Sequence, residues 1–286
     1  MNIQLQDGRR LEYAEYGDPG GKPVFFFHGI PGSRIFRPPC DELTAGMGVR
    51  LITIDRPGYG GSTFQPGRRV LEWPKDLLEL ADHLGVKKFA VAGHSGGAPY
   101  VAASAFALPD RVLAASILSG LGPADAPDAT KGMQSTNKMG LLVGRWLPWP
   151  FWNALFGLWF QDIGEHPEIL FPDEPKGTCA ADLEMLDRPG VREVCRESVR
   201  EAFRQGTTAH AWEGRLQSRP WGFALEEIRV PFHVWHGELD VDAPISMGRT
   251  MAGKIPGCHA AICPGEGHLL LINHWKEILK QLVSHF

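Results

Sequence analysis

The residues best suited to covalent chemistry lie in Gly93-His94-Ser95-Gly96-Gly97. They follow an apolar, β-rich segment over Phe89–Ala92 and precede an alanine-rich helical pattern that runs to about Leu108. A strand that turns this sharply into a helix needs residues without side chains on either side of the apex. A Cβ there would collide with neighbouring backbone. The turn pushes Ser95 into the open at the strand end, and the first N–H groups of the helix point at whatever it attacks. A serine hydroxyl is a poor nucleophile at neutral pH. It needs a histidine to take its proton, a carboxylate to orient that histidine, and N–H donors for the oxyanion.

The chain offers each of these just past a short apolar run. Pro231–His236 ends in Gly237-Glu-Leu-Asp240, and His259–Cys263 ends in Pro264-Gly-Glu-Gly-His268. Asp240 is the expected acid, with Asp242 two residues on and Glu238 two residues back. His268, on a glycine-bearing loop, is the expected base. Pro23–Phe27 ends in His28-Gly29-Ile30-Pro31-Gly32, and the oxyanion donors are assigned to the N–H groups of Ile30 and Gly96.

Several other residues read as structural. His28 packs the oxyanion loop and His94 packs beside the serine. Asp55 holds its own turn through backbone N–H groups. His233 and His236 fall on opposite faces of a strand, which does not suit a metal. The loop Gly58-Tyr-Gly-Gly61 lacks the Lys-Ser/Thr pair of a phosphate cradle, and no dinucleotide fingerprint is present.

The elements around these residues alternate. Ile3–Leu5 and Leu11–Tyr16 flank an Asp7-Gly8 turn as a hairpin. Pro23–Phe27, Val49–Ile54, Phe89–Ala92 and Val112–Leu118 are short strands, apolar on both faces. Helices are expected over Phe36–Met47 and Val70–Leu84 and after Ser95. This pattern predicts an α/β fold with a mostly parallel central sheet and flanking helices, whose ligand site gathers beyond the carboxyl ends of the strands.

The alternation stops after Pro123 and returns at Arg229. Residues 1–123 and 219–286 therefore form one core, and 124–218 is an inserted helical cap. Within it, Met139–Phe160 carries Trp146, Trp149, Phe151, Trp152, Phe156, Trp159 and Phe160, with Arg145 as its only charge. Pro148 and Pro150 break this block into two short helices. Its first reading is cap core, with some rings facing the pocket; a membrane span does not fit, and peripheral membrane contact is the remaining alternative. Asp182–Leu186 and Val191–Phe203 are further cap helices.

The bulk composition is that of a globular chain. Hydrophobic residues make up 43% and charged residues 22% of the 286, with a net charge of −4, and no basic cluster points to nucleic acid. Five cysteines without a Cys-x-x-Cys pair argue for reduced thiols rather than a disulfide framework or a zinc site. No signal sequence is visible, so the expected location is cytoplasmic. The sequence leaves the oligomeric state open.

These motifs, with Asp55-Arg-Pro-Gly-Tyr-Gly-Gly-Ser62, resemble those of the α/β-hydrolase superfamily, in its serine-nucleophile branch with a His-Gly-x-Pro oxyanion loop and a helical cap. The resemblance covers about 1–123 and 219–286. It implies an α/β-hydrolase fold and the triad Ser95, Asp240 and His268, with Asp125 a remote alternative acid because some members place it there. Ser95 stands where epoxide hydrolases and haloalkane dehalogenases have aspartate, so the chain is closer to esterases, lipases, aminopeptidases and C–C hydrolases. The expected function is hydrolysis of a small apolar ester through an acyl-enzyme, with no metal or cofactor. Aminopeptidase or C–C bond hydrolase activity on the same triad is the alternative within this class, and an aminopeptidase would need cap acids such as Asp162, Glu165 or Asp173. The alternative from another class is a non-turnover ligand-binding protein on this scaffold.

Overall fold

The computed structural model describes residues 1–126, 128–171 and 179–286. Eight strands form one sheet: β1 (Asn2–Gln4), β2 (Arg10–Gly17), β3 (Lys22–Phe27), β4 (Val49–Ile54), β5 (Phe89–His94), β6 (Val112–Leu118), β7 (Phe232–Gly237) and β8 (His259–Cys263). Their spatial order is β1-β2-β4-β3-β5-β6-β7-β8. The pairs β1–β2 and β2–β4 are antiparallel. From β4 across to β8 every pair is parallel.

The central strands are buried on both faces, and their side chains divide by the two-residue period of a strand. Phe25, Phe27, Ile52, Ile54, Phe89 and Val91 enter one core. Val24, Phe26, Leu51, Ala90 and Ala92 enter the other. The first core is closed by α2 (Trp73–His83), α3 (Ala98–Ala107) and α9 (Ile245–Lys254), through Leu77, Leu80, Val101 and Met251. The second is closed by α10 (Leu271–Val283), through Trp275, Ile278, Leu279 and Leu282.

α1 (Asp41–Gly46) is shorter than the helix expected over Phe36–Met47. Pro38 and Pro39 explain the late start: neither has an N–H to donate, and each disfavours the α conformation in the residue before it.

Among the described residues between β6 and β7 there are helices and no strand. These are α4 (Ser135–Trp146), α5 (Trp149–Phe160), α6 (Ala180–Leu186), α7 (Val191–Ala202) and α8 (Thr208–Gln217), with short 3₁₀ turns at Pro167–Ile169 and Leu225–Glu227. The aromatic block breaks between α4 and α5 at Leu147-Pro148, as the prolines require. α4 and α5 both pack on α8. Trp152 is the centre of that contact: it is 1% exposed, its indole N–H donates to the Ala211 carbonyl at 2.7 Å, and a Cβ on Gly144 would lie 3.3 Å from its ring. Residues of α6 and α7, including Met185 and Cys195, join the core on the α10 side. All five cysteines are free thiols.

Candidate active site

The register of the sheet sets the site. Phe27 pairs with Gly93 and Ile54, His94 with Leu118, and Gly237 with Cys263. The carboxyl ends of β3, β4, β5, β7 and β8 therefore lie along one edge, and the loops after them share the space beyond it.

Ser95 follows β5 with φ +53°, in the left-handed region that costs a non-glycine residue about 1–3 kcal/mol. The neighbouring glycines have no room for side chains. A Cβ at Gly93 would lie 2.7 Å from Val101 Cγ2, and one at Gly97 would collide with the Phe27 carbonyl. The loop after β3 lies over the serine. A Cβ at Gly29 would stand 3.1 Å from Ser95 Cβ, and one at Gly96 would stand 2.6 Å from Ile30 Cγ1. The structure thus brings Ile30 and Gly96 together beside Ser95. The Ile30–Pro31 peptide is cis.

On the far side, His268 Nδ1 lies 2.9 Å from Asp240 Oδ2. The other carboxylate oxygen, Asp240 Oδ1, accepts the N–H groups of Asp242 and Ala243 at 2.9 Å each. Asp240 is the acid at this contact: Asp242 instead accepts a hydrogen bond from Asn137, and Glu238 and Asp125 are exposed. Burial alone would raise the Asp240 pKa. The His268 charge and hydrogen bond, with His236 and the Ala243 N–H, hold it below the usual carboxylate value. For His268 burial works towards the neutral form, but the charge and hydrogen bond of Asp240, then the charges of Asp242 and Asp182, hold its pKa up at about 9.

Ser95, His268 and Ile30 line one cavity of about 650 Å³. Its remaining wall is largely apolar and includes Phe36, Trp152, Phe156, Trp159 and Phe160. Of these, Trp152, Phe156, Trp159 and Phe160 are the rings of the aromatic block that face the site. Asp162 and Glu165 are exposed and do not line this cavity. Asp173 lies outside the described residues.

Sequence reasoning missed how the segment between β6 and β7 grips the site. Glu213 of α8 is fully buried between Arg56 and Arg68. Arg56 donates to Glu213 Oε1 and Oε2 at 2.8 Å each, and to the carbonyls of His28 at 2.6 Å and Gly29 at 3.1 Å. Tyr100 and Tyr59 donate to the same carboxylate at 2.6 and 3.0 Å. Burial would raise the Glu213 pKa, but the two guanidinium charges and these hydrogen bonds drive it well below the carboxylate range. One turn on, the Gln217 side-chain N–H donates to the Gly96 carbonyl at 2.9 Å. One helix therefore holds both backbone segments that carry the Ile30 and Gly96 N–H groups.

α6 and α7 add two more contacts. Asp182 Oδ1 accepts the Leu269 N–H at 2.7 Å, next to His268. Ser198 Oγ accepts the Ser33 N–H at 2.8 Å. The two packing histidines are accounted for. Burial and the Arg56 charge keep His28 neutral; its Nδ1 donates to the Gly29 carbonyl at 2.8 Å and its Nε2 faces the Arg56 N–H. Burial and the His268 charge lower His94 to about 3, so its Nε2–H donates to the His268 carbonyl at 3.0 Å.

Asp55, expected to hold its own turn, instead ties down the loop after β3: it accepts the Arg34 N–H at 2.6 Å and pairs with the Arg34 guanidinium. Glu12 and Glu201 also converge on that guanidinium. These three carboxylates have the spacing of a metal site, and Arg34 already supplies their cation. Among the described residues, the other such grouping is Asp240, Asp242 and His268 itself.

The sequence model of the family described as alpha/beta hydrolase fold matches residues 22–274. The chain is 26% identical to a bifunctional esterase/perhydrolase of Acinetobacter calcoaceticus, over 99% of this chain and 98% of that one. It is 24% identical to a non-heme haloperoxidase of Rhodococcus erythropolis, over 93% and 92% of the two chains. Among solved structures, a thermophilic esterase from Thermogutta terrifontis superposes with a TM-score of 0.66 at 23% identity, covering 99% of this chain and 96% of that one. A match over residues 22–274, which hold six of the eight strands and the turn at Ser95, decides the family: this chain belongs to the alpha/beta hydrolase fold family.

Proposed function

We propose that the chain is a serine esterase that cleaves small apolar esters through an acyl-enzyme on Ser95. The observation that carries this reading is the His268 Nδ1–Asp240 Oδ2 hydrogen bond of 2.9 Å, in the wall of the cavity that Ser95 enters from a left-handed turn.

In this mechanism the ester carbonyl sits over Ser95. Neutral His268 takes the hydroxyl proton at Nε2 as Oγ bonds to the carbonyl carbon. The negative charge moves to the carbonyl oxygen and meets the N–H groups of Ile30 and Gly96. Asp240 keeps Nδ1 protonated and stabilises the imidazolium. The C–O bond to the alcohol then breaks, and His268 gives its proton to the departing oxygen. Water repeats the sequence on acyl-Ser95, and the carboxylic acid leaves. No step calls for a metal or cofactor. Residues 124–218 serve as the cap over the core of 1–123 and 219–286, and their apolar rings hold the acyl or alkyl group.

An ester is favoured over an aminoacyl substrate because Asp162 and Glu165 do not line the cavity, the buried Glu213 is taken up by two arginines, and the acids that do line it are already engaged, Asp182 by the Leu269 N–H and Asp242 by Asn137. The test is a panel of p-nitrophenyl esters of increasing chain length beside aminoacyl p-nitroanilides. Ester turnover should dominate, and Phe156→Ala, which enlarges the cavity, should move the preference to longer acyl chains. Faster turnover of the nitroanilides would reverse the assignment.

The pH profile follows from His268. The base must be neutral to accept the Ser95 proton, and its pKa is raised to about 9, so kcat/KM should rise through the alkaline range and reach half its plateau near pH 9. Asp182→Asn removes one of the charges that hold the proton on, so its profile should shift to lower pH. An unchanged midpoint would show that Asp182 does not act on the base. The same shift bears on stability. The stabilisation from protonated His268 is present in full below its ordinary value of 6.5 and is lost as pH rises through about 9.

A further inference from the structure

Six of the ten exposed large hydrophobic side chains among the described residues are on α4 and α5: Met139, Leu142, Trp146, Phe151, Leu158 and Trp159. No large hydrophobic between residues 2 and 138 is exposed among the described residues, so this is a concentrated patch rather than ordinary surface scatter. Trp146 is 77% exposed, Leu158 69% and Phe151 67%. Met139, Leu142 and Trp146 recur at i, i+3 and i+7 on α4, and Phe151 and Leu158 at i and i+7 on α5. Each helix therefore carries an apolar stripe. The opposite sides, with Gly144 and Trp152, pack towards α8, so the stripes face outward.

The charge of this region is opposite in sign to that of the chain. Residues 129–161 contain Lys131, Lys138 and Arg145 and no Asp or Glu, in a protein of net charge −4. None of the three cations has a carboxylate partner among the described residues; the Arg145 guanidinium lies over the Trp146 ring at 5.3 Å. The acid-free stretch ends at Asp128 and Asp162. Asp242, which reaches α4 through Asn137, lines the cavity. Tryptophan beside outward cations on short amphipathic helices suits a lipid headgroup region, where rings bury and cations meet anionic lipid.

A second copy of the chain fits this face less well. A twofold contact sets a patch against itself, so it would bring the cations of both copies into one interface with no carboxylate in the stretch to neutralise them. The patch is also continuous with the site. Met139 and Trp159 are each about half exposed, and both line the cavity that holds Ser95. An apolar molecule dissolved in a lipid surface would reach the cavity along these side chains.

We propose that the outer face of α4 and α5 docks reversibly on the surface of an anionic phospholipid bilayer. It lies in the interface and does not span it: among the described residues, no helix is long and apolar enough to cross a membrane. Binding is read without turnover, so the result is independent of the esterase reading.

The experiment is vesicle flotation of the full chain with phosphatidylcholine–phosphatidylglycerol vesicles and with phosphatidylcholine alone. The wild type is compared with W146A/F151A/L158A and K138E/R145E, none of which lines the cavity; circular dichroism confirms their folds. Wild type should partition onto the anionic vesicles and release as salt rises. Each cation near such a surface is worth about fivefold in binding, so K138E/R145E should lose more than about 20-fold, and the triple variant should bind weakly to both vesicle types. No vesicle binding by wild type, or equal binding to neutral vesicles with K138E/R145E unchanged, overturns the proposal. So does a concentration-dependent dimer that the triple variant dissociates, which would assign the face to a second copy.

Discussion

Ser95→Ala will abolish turnover of a short p-nitrophenyl ester, lowering kcat by about 10⁵–10⁶-fold, the scale on which removal of a serine nucleophile acts when the rest of the machinery stays in place. The fold should survive. Alanine has no more difficulty than serine at φ +53°, and among the described residues Ser95 Oγ makes no hydrogen bond on which neighbouring elements depend. The melting temperature should therefore move by no more than about 2 °C. Steady-state kinetics and a thermal melt on the same preparation check both statements. A variant that keeps a substantial part of wild-type activity would move the chemistry to another residue.

Glu213→Gln should give the second-largest effect, and it acts on stability and rate together. The amide cannot balance Arg56 and Arg68, and it points an N–H₂ group at one of them in a fully buried site. Removing one partner of such a buried pair costs about 3–5 kcal/mol, a fall in melting temperature on the order of 10 °C for a chain of this size. Arg56 also fixes the carbonyls of His28 and Gly29. Once it loosens, the Ile30 N–H, the proposed oxyanion donor, should leave its position, and loss of one such donor lowers kcat by about 10²–10³-fold. KM for a small ester should change much less, since Glu213 does not line the cavity. Gln217→Ala provides the folding-safe companion: it removes the bond to the Gly96 carbonyl without leaving a buried charge, and should lower kcat with a smaller change in melting temperature. If both variants keep wild-type kcat, α8 is a structural brace and does not position the oxyanion donors.

What the sequence made legible and what it hid have physical causes. The elbow was readable because its requirements are strict. Only glycine clears Val101 at position 93 and the Phe27 carbonyl at position 97, so the spacing around Ser95 announces the geometry. The parallel strands were readable because burial on both faces makes short, wholly apolar runs. The contact between Asp240 and His268 was readable because each residue follows such a run.

α8 was not readable as part of the site because the stripe it turns inward is polar. His210, Glu213 and Gln217 recur at helical spacing and are all buried, so a search for an apolar face passes over them. That polar periodicity is the one signal that could have revealed the helix. Asp182 was recognised as helical, but its bond to the Leu269 N–H joins residues 87 apart, which local sequence does not encode. The rings facing the cavity could not be sorted from those facing out, because α5 is apolar on nearly every side, from Trp149 to Phe160. Only its packing on α8 separates Trp152 and Phe156 from Phe151 and Leu158.

The most decisive single measurement is a time course with a fluorophosphonate, following adduct formation by peptide mass mapping and residual ester turnover in the same samples. Fluorophosphonates bond to serines whose hydroxyl is activated by a neighbouring base. If Ser95 is the nucleophile of an esterase, the adduct should appear on Ser95 and turnover should fall in step with it, to completion. Full labelling of Ser95 with turnover intact, inactivation with the adduct on another residue, or a labelled Ser95 in a chain that turns over no ester would each exclude an acyl-enzyme on Ser95 as the basis of this protein's function.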